Sequence, residues 1–316
     1  MRSRSFVKST TEIVKRFTIG RLAVAVVVFL RDTLRYRLPS DELFIKRRFK
    51  KVFNRSLNLD DPQTLSEKLQ WLKLYDRTEF HTLCADKYAV RKYVEETIGS
   101  KYLIPLVYHS KNPDHIVDEN MPDFPFVIKV NHDSSGVIIV KDKSLLDYKS
   151  TRETLKKWLK SNYYLRKKEW QYKNIPPRII VEKLLLEKNG AIPNDYKFHV
   201  FNNKVKIIQV DQDRHINHKR VLYDESWNEY DFEWGFPKGS EEKKPTLLEE
   251  AISLAEKLSG VFCYARVDFY IVNNKLYFGE ITFHPGSGFE LFSPENHDYL
   301  WGSELVIPTK RIKNER

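Results

Sequence analysis

Cysteine is almost missing from this sequence: Cys84 and Cys263 are the only two in 316 residues, far apart and without metal-ligand spacing. That argues against both a disulfide framework and a zinc site, which leaves a reducing cytosolic setting as the simplest reading. Long apolar runs are missing too. The only sustained one, Leu22 to Leu30, has nine residues, whereas a helix that crosses a bilayer needs about 20. Its basic lead is long and no small-x-small site follows it, so a signal peptide is disfavoured. Internal repeats and low-complexity tracts are absent. A net positive charge is also missing from most of the chain: residues 1–55 hold 15 Lys and Arg against 4 Asp and Glu, and the other 261 residues hold 39 of each sign. The whole net charge of +11 is therefore N-terminal. A nucleic-acid enzyme would spread positive charge over its working face, so no nucleic-acid partner is expected. The segment Phe6 to Leu38 reads instead as a basic amphipathic helix lying on an anionic membrane surface, with a packed helix of the fold as the alternative.

The length suits two or three compact units, and the aromatic and apolar content supports a real core. Helix starts are well marked. Thr64-x-x-Glu67, Ser150-x-x-Glu153 and Thr246-x-x-Glu249 each fit a capping box. They predict helices running to about Tyr75, Tyr163 and Gly260. Another helix is expected from Asp86 to Gly99, with Val90, Tyr93, Val94 and Ile98 as its apolar face. Strands are expected over Phe126 to Asn131, Val137 to Lys141, Ile179 to Leu186, Lys197 to Phe201 and Lys204 to Val210. Strand pairs between separated helices indicate an α+β fold with antiparallel sheets. Asn217 to Lys244, polar and aromatic, reads as a surface insert that could bind an acceptor or act as a lid.

The most informative stretch is Cys263 to Glu290, two β-rich runs around Asn273-Asn274 with Asp268 on one and Glu280 on the other. Mg²⁺ takes oxygen ligands and is usually held by one or two carboxylates plus substrate phosphates. Arg266 shares a strand face with Asp268, and Thr282 with Glu280. For both carboxylates to face one side, the connection must have an odd length or include a bulge, so Asn273-Asn274 is expected in a three-residue or bulged turn. An ordinary solvent-facing hairpin is the alternative. Lys129 lies on a strand face opposite to Phe126, Ile128 and Val130. The polar turn after it contains Gly136, and its N–H groups could cradle phosphate. Lys87 is placed in the first turn of a helix, where the dipole disfavours a cation unless an anion is near.

The segments ADKYAVRKYV, FPFVIKVNHDSSGVIIV, IIVEKLLLE, DYKFHVF, ARVDFYI and GEITFHPGSG occur in the order found in ATP-grasp ligases. ARVDF with a later Glu and Pro-Gly resembles D-alanine:D-alanine ligase. NLDDPQTLSEKLQWLKLYDR, EWQYKNIPPRIIVEK and DYKFHVFNNK resemble the TupA-like ATP-grasp proteins of bacterial surface-polysaccharide loci. The resemblance covers most of residues 55–290. It implies an ATP-grasp fold, two α+β subdomains with antiparallel sheets sandwiching the nucleotide. The expected division is a membrane-surface segment at 1–40, a short helical region at 41–85, a first subdomain at 86–178, a second at 179–300 and a basic tail at 301–316.

By the same resemblance, Lys87 and Lys129 bind the phosphates of ATP, and Ser134, Ser135 and Gly136 form the loop that covers them. Glu182, Lys183, Leu184 and Leu185 form the strand edge that bonds adenine. Lys197 takes the place of a basic residue in a DxR pattern. Asp268 and Glu280 hold Mg²⁺, and Arg266 stabilises the acyl phosphate and the tetrahedral species. Thr282 stands where the family has Asn in E-x-N, a weaker ligand at that position. The implied activity is a carboxylate-amine ligase acting through an acyl phosphate, with a glycan uronic acid as carboxylate and an amino acid or peptide as amine. A sugar kinase or glycosyltransferase and a non-catalytic nucleotide-binding scaffold are the alternatives. The expected location is the cytoplasm, peripheral on the inner face of the plasma membrane.

Overall fold

The computed structural model describes residues 39–134, 136–212 and 217–308 together with Val27. Apart from Val27, the segment Phe6 to Leu38 expected on the membrane therefore lies outside the described residues, as do Ser135 and the last part of the tail. From residue 39 onward the described chain begins with three helices, α1 (Asp41–Phe53), α2 (Leu65–Tyr75) and α3 (Glu79–Ala85), followed by α4 (Val90–Ile98). The Thr64 capping box forms as expected, with Thr64 accepting from Glu67 N and the Glu67 carboxylate accepting from Thr64 N. The two other boxes do not. Asp147 caps the helix α5 (Tyr148–Leu159) by accepting from Ser150 N, so the helix starts upstream of Ser150. It also stops before Tyr163, because Asn162 caps a new short helix, α6 (Tyr163–Lys167). Thr246 donates its hydroxyl to Asn274 Oδ1 at 2.9 Å and leaves α7 (Leu248–Ser259) without a side-chain cap. Asp86 accepts from Tyr88 N and Ala89 N, which holds residues 86–89 in a turn. Lys87 thus sits in that turn and not in the first turn of α4.

Every strand pairing within the sheets is antiparallel. A four-stranded sheet has the order β1-β4-β2-β3, built from β1 (Leu106–Ser110), β2 (Phe126–Val130), β3 (Val137–Val140) and β4 (Ile179–Lys183). The boundary expected at 178/179 therefore falls inside this sheet: β4 pairs with β1 and β2 and belongs to the first unit. A five-stranded sheet has the order β10-β9-β5-β6-β7, from β5 (Asp195–Phe201), β6 (Lys204–Gln212), β7 (Lys219–Tyr223), β9 (Tyr264–Val272) and β10 (Lys275–Thr282). The expected surface insert at 217–244 is mostly structural. It supplies β7 and β8 (Glu233–Trp234), and β8 pairs with β11 (Phe292–Ser293) ahead of α8 (Asn296–Glu304).

Side-chain alternation divides the five-stranded sheet into two faces. Val267, Phe269, Phe198, Val200, Ile208 and Val210 face one way and pack under α7 with Leu248, Ala251 and Leu258. The other face is split along its length. Its apolar end, Tyr264, Phe201, Ile207 and Leu222, packs with Trp234, Phe292, Trp301 and the leucines of α2. Its polar end carries Arg266, Asp268, Lys197, Gln209, Asp211 and Arg220. The four-stranded sheet buries Phe126, Ile128, Val130 and Val181 against Leu155 of α5 and turns Lys129 and Glu182 the other way.

Candidate active site

The hairpin β9–β10 brings both carboxylates to one face. Asn273 and Asn274 both have positive φ (50° and 57°) and Val272 pairs with Lys275, so the turn is a two-residue loop with the dihedrals favoured in hairpins. That overturns the three-residue or bulged turn expected there. The odd residue is Gly279, a bulge inside β10: Phe278 pairs with Phe269 and Glu280 with Asp268. The bulge lets Phe278 enter the core under α7 while Glu280, two residues on, faces the polar side. A side chain at Gly279 would place its Cβ 3.1 Å from the Asp268 carbonyl oxygen.

Arg266 ties the cluster together. It donates to both Asp268 oxygens at 2.7 Å, and its Nη2 also reaches Glu280 Oε1 at 3.0 Å and Thr282 Oγ1 at 3.1 Å. Thr282 donates to Glu280 Oε1 at 2.9 Å. Lys87 Nζ stands 3.4 Å from Glu280 Oε2 and donates to the Asp133 carbonyl at 3.0 Å. The turn before α4 therefore reaches across to the hairpin. Burial raises Asp268 to about 6 in spite of Arg266 and Lys197. At Glu280 burial alone would do the same, but Lys87, Arg266 and the Thr282 hydroxyl outweigh it and hold the group down to about 2.

Lys197 pairs in register with Asp268 and is buried between Asp195 Oδ2 at 2.9 Å and Asp211 Oδ2 at 3.4 Å. Arg220 and Lys197 overcome burial at Asp211 and hold its carboxyl far below the usual range. Arg220 continues the row to Glu290 at 2.9 Å. On the four-stranded sheet, Lys129 lies 2.6 Å from Glu182, and Arg91 lies 3.3 Å from the same carboxylate. Lys129 is thus an ion-paired, largely covered side chain rather than a wet one. Glu182 is buried and engaged by two cations. The Lys183 and Leu184 N–H groups donate to the Pro105 and Pro125 carbonyls, so these two donors are not free to bond a base. Leu185 is half-buried. Ser134 is exposed, Ser135 lies outside the described residues, and Gly136 has φ +95° with the Trp158 ring 2.9 Å from where a Cβ would be.

Three features escaped sequence reasoning. Val137 and Ile139, 47% and 39% exposed, pair with Lys129 and Val127 and so face the same side, an apolar wall beside the lysine. Arg91 is the second cation on Glu182. Gln70 and Lys73, three apart on α2, grip the loop after the hairpin: Gln70 donates to the Ser287 and Gly288 carbonyls, and Lys73 to the Ser287 carbonyl. None of these three left a local signal, whereas the bulge at Gly279 did, as a lone glycine inside a strand pattern.

Two sheets that present lysines and an apolar wall on one side and a carboxylate hairpin on the other define an ATP-grasp protein. The sequence matches the family described as TupA-like ATPgrasp over residues 67–306, and the chain belongs to that family. No curated protein matches it. Among solved structures it is similar to D-alanine–D-alanine ligase from Bacillus anthracis, at 20% identity over 63% of this chain and 57% of that one, with a TM-score of 0.38. The Helicobacter pylori D-alanine–D-alanine ligase gives 17% identity over 78% and 68% of the two chains, with a TM-score of 0.41. The ATP-grasp ligase PsnB, complexed with minimal precursor, gives 9% over 69% and 60%, with a TM-score of 0.37. The chain thus spans little more than half of the Bacillus anthracis ligase.

Among the described residues no three His, Cys, Asp or Glu side chains gather as a metal cage. Two carboxylates with a neighbouring hydroxyl suit Mg²⁺, which completes its shell with phosphate oxygens and water.

Proposed function

We propose that this protein is an ATP-dependent carboxylate–amine ligase of cell-surface polysaccharide biosynthesis. The observation that carries the reading is the convergence of Lys87 and Arg266 on Glu280 and Asp268. Two cations from separate elements meet two carboxylates at one point between the sheets, which is the charge pattern that a metal–triphosphate requires. Asp268, Glu280 and the Thr282 hydroxyl would hold Mg²⁺, which when bound neutralises phosphate charge. Lys87 and Lys129 would meet the phosphates as point charges, with Ser134, Ser135 and Gly136 over them. The wall of Val127, Val137 and Ile139 offers an apolar surface to the base, with the edge from Glu182 to Leu185 beside it.

The chemistry then needs positioning more than covalent help. The substrate carboxylate oxygen attacks the γ-phosphorus and the bond to the β-phosphate oxygen breaks, which yields an acyl phosphate and ADP. An amine attacks the acyl carbon, phosphate leaves, and the nitrogen loses a proton. By the resemblance, Arg266 and Lys197 would stand beside the reacting groups and stabilise the developing oxyanion. The resemblance to surface-polysaccharide proteins supports a uronic acid as carboxylate and an amino acid or peptide as amine. Among the described residues no helix is long and apolar enough to cross a membrane. Attachment to the inner membrane surface is assigned to residues 1–40 on their charge and apolar run.

Hydroxylamine trapping tests the activity. A ligase forms a hydroxamate when hydroxylamine takes the place of the amine, and it sustains ADP release only when a carboxylate and an amine are both present. ADP formed with a hydroxyl acceptor and no amine would make it a kinase, and ATP binding without turnover would make it a scaffold.

A further inference from the structure

The outer face of α1 is charged in a way that the ligase reading does not use. Leu43, Lys46, Arg47, Lys50, Lys51 and Asn54 are all exposed and follow the i, i+3, i+4, i+7, i+8 spacing of one stripe, roughly 140° wide at 100° per residue. Its inner face, Ile45 and Phe49 with Phe44, Val52 and Phe53, is packed in the core. Lys46 is paired with Glu42 at 2.6 Å. Arg47, Lys50 and Lys51 make no ion pair among the described residues, and the stripe itself carries no acid. Leu43 adds an apolar side chain, 42% exposed, at its N-terminal end. The chain that joins α1 from the N-terminal side brings Arg31, Arg35 and Arg37 within ten residues of it.

We propose that this stripe seats the protein on an anionic lipid surface, with Leu43 entering the headgroup layer and Arg47, Lys50 and Lys51 against the lipid phosphates. A row of unpaired cations with one exposed leucine fits that partner by charge and by polarity. The seat lies close to the catalytic end of the cleft. On the inner side of α1, Arg48 stacks over the Phe289 ring at 4.3 Å, and Phe289 follows directly on the loop Pro285–Gly288 after the metal hairpin. Asp41 holds Tyr164 OH and Arg77 Nη2, each at 2.9 Å. Only about one helix diameter, roughly 10–12 Å, separates the lipid seat from the loop. Lys183, at the edge that the resemblance implies for adenine, ends β4 of the other sheet. Resting on the ligase reading, this places the acceptor end of the site next to the bilayer and points to a membrane-anchored glycan as substrate class.

The test uses full-length protein and the triple variant R47A/K50A/K51A, which replaces exposed helical residues with the best helix former. Partition into phosphatidylcholine vesicles with and without 30 mol% phosphatidylglycerol is measured by sedimentation, with equilibrium ATP binding as a control for folding. Each basic residue near an anionic surface contributes about 1 kcal/mol, or about fivefold, so three together give on the order of 100-fold. The expected result is partition into anionic vesicles that falls by that order in the variant, with ATP affinity unchanged. Equal partition of variant and wild type overturns the proposal. So does wild-type protein that binds both vesicle types alike, or that binds a soluble polyanion through the stripe and no vesicle. Failure of hydroxamate trapping with vesicle binding intact would refute the ligase reading and leave the lipid seat standing.

Discussion

Replacing Glu280 with Gln keeps the shape of the side chain and removes the one anion that Lys87 and Arg266 share. In the folded protein that anion is strongly favoured, since its carboxyl is held down to about 2. The sign follows: its contribution is present in full above the unfolded value of about 4.3 and is lost as pH falls through the folded one, so an assay at pH 7.5 sees all of it. A charge-assisted hydrogen bond contributes about 1.5–3 kcal/mol. The Glu280 side chain is 30% exposed, which puts the loss near the low end, and Arg266 keeps its two bonds to Asp268. Folding should therefore weaken by only about 1–2 kcal/mol. Turnover should suffer more. Removing a carboxylate that holds the metal forfeits several kcal/mol of transition-state stabilisation, and about 4 kcal/mol is a thousandfold in rate. Coupled ADP release measures the rate, and urea unfolding measures stability in the same buffer. ADP formation within a few-fold of wild type, with metal-dependent nucleotide binding retained, would show that this hairpin is not the metal site. Thr282→Asn, which adds a carbonyl ligand in the same place, should keep or tighten Mg²⁺ binding.

Lys129→Met should lose ATP affinity and also some stability, about 1–3 kcal/mol, because buried Glu182 is left with Arg91 alone; adding Glu182→Gln should restore urea resistance but not ATP binding. Recovery of both would make Lys129 structural. Gly288→Ala puts a Cβ 2.4 Å from Gln70 Nε2 at φ +67° and should cost about 2 kcal/mol, read as a lower unfolding midpoint; an unchanged midpoint would mean that the loop after the hairpin is loosely held. Burial lowers His81 to about 4, so the unfolded chain binds the extra proton between about pH 6.5 and 4 and stability falls with pH in that window. From pH 7 to 5 this one group should contribute about 2 kcal/mol of loss, and the difference should vanish in His81→Gln. Deleting residues 1–38 should weaken binding to anionic vesicles and leave ATP binding intact, since every proposed nucleotide ligand lies from Lys87 onward; a misfolded truncation would place that segment in the core.

The elements that local chemistry determines were readable in the sequence. Thr64 and Glu67 satisfy each other across one helical turn, so no distant contact is needed to start α2. Strand alternation put Asp268 with Arg266 and Lys129 opposite Ile128, and both hold in three dimensions. Parity showed that one extra residue must lie between Asp268 and Glu280, but not where. The turn was the obvious place, yet Asn273-Asn274 already satisfies the hairpin twist with two left-handed residues, so the bulge moved to the glycine that could accept it. Caps that compete with neighbours were misread. Ser150 lost to Asp147, whose helix also gains a bond from Tyr148 OH to Asp118, and Thr246 was drawn away by Asn274. Ion pairs between segments far apart in sequence, such as Lys129 with Glu182 on a neighbouring strand and Lys87 with Glu280 on the hairpin, depend on packing and leave no local trace.

The loop after the hairpin is held by elements that lie outside the two sheets. The loop Pro285–Gly288 takes left-handed backbone at Gly286, Ser287 and Gly288, a conformation that strands and helices cannot impose on it. Gln70 and Lys73 impose it from α2. Lys73 is fully buried, and burial lowers it from its ordinary lysine value; the neighbouring carboxylate Glu169, itself raised by burial, accepts from Ser287 Oγ at 2.8 Å. The loop is therefore held from two sides, by α2 and by the segment before Tyr172. α2 is fixed in turn by the bond from Ser66 N to Asp298 at 2.8 Å and by Lys68 on the Gly302 and Leu305 carbonyls at 2.7 Å. Residues 65–75 and 296–305 thus act as one brace behind the β9–β10 hairpin. In the proposed reaction the acceptor would approach from the side that this brace leaves open, so α2 and α8 would shape the room for it.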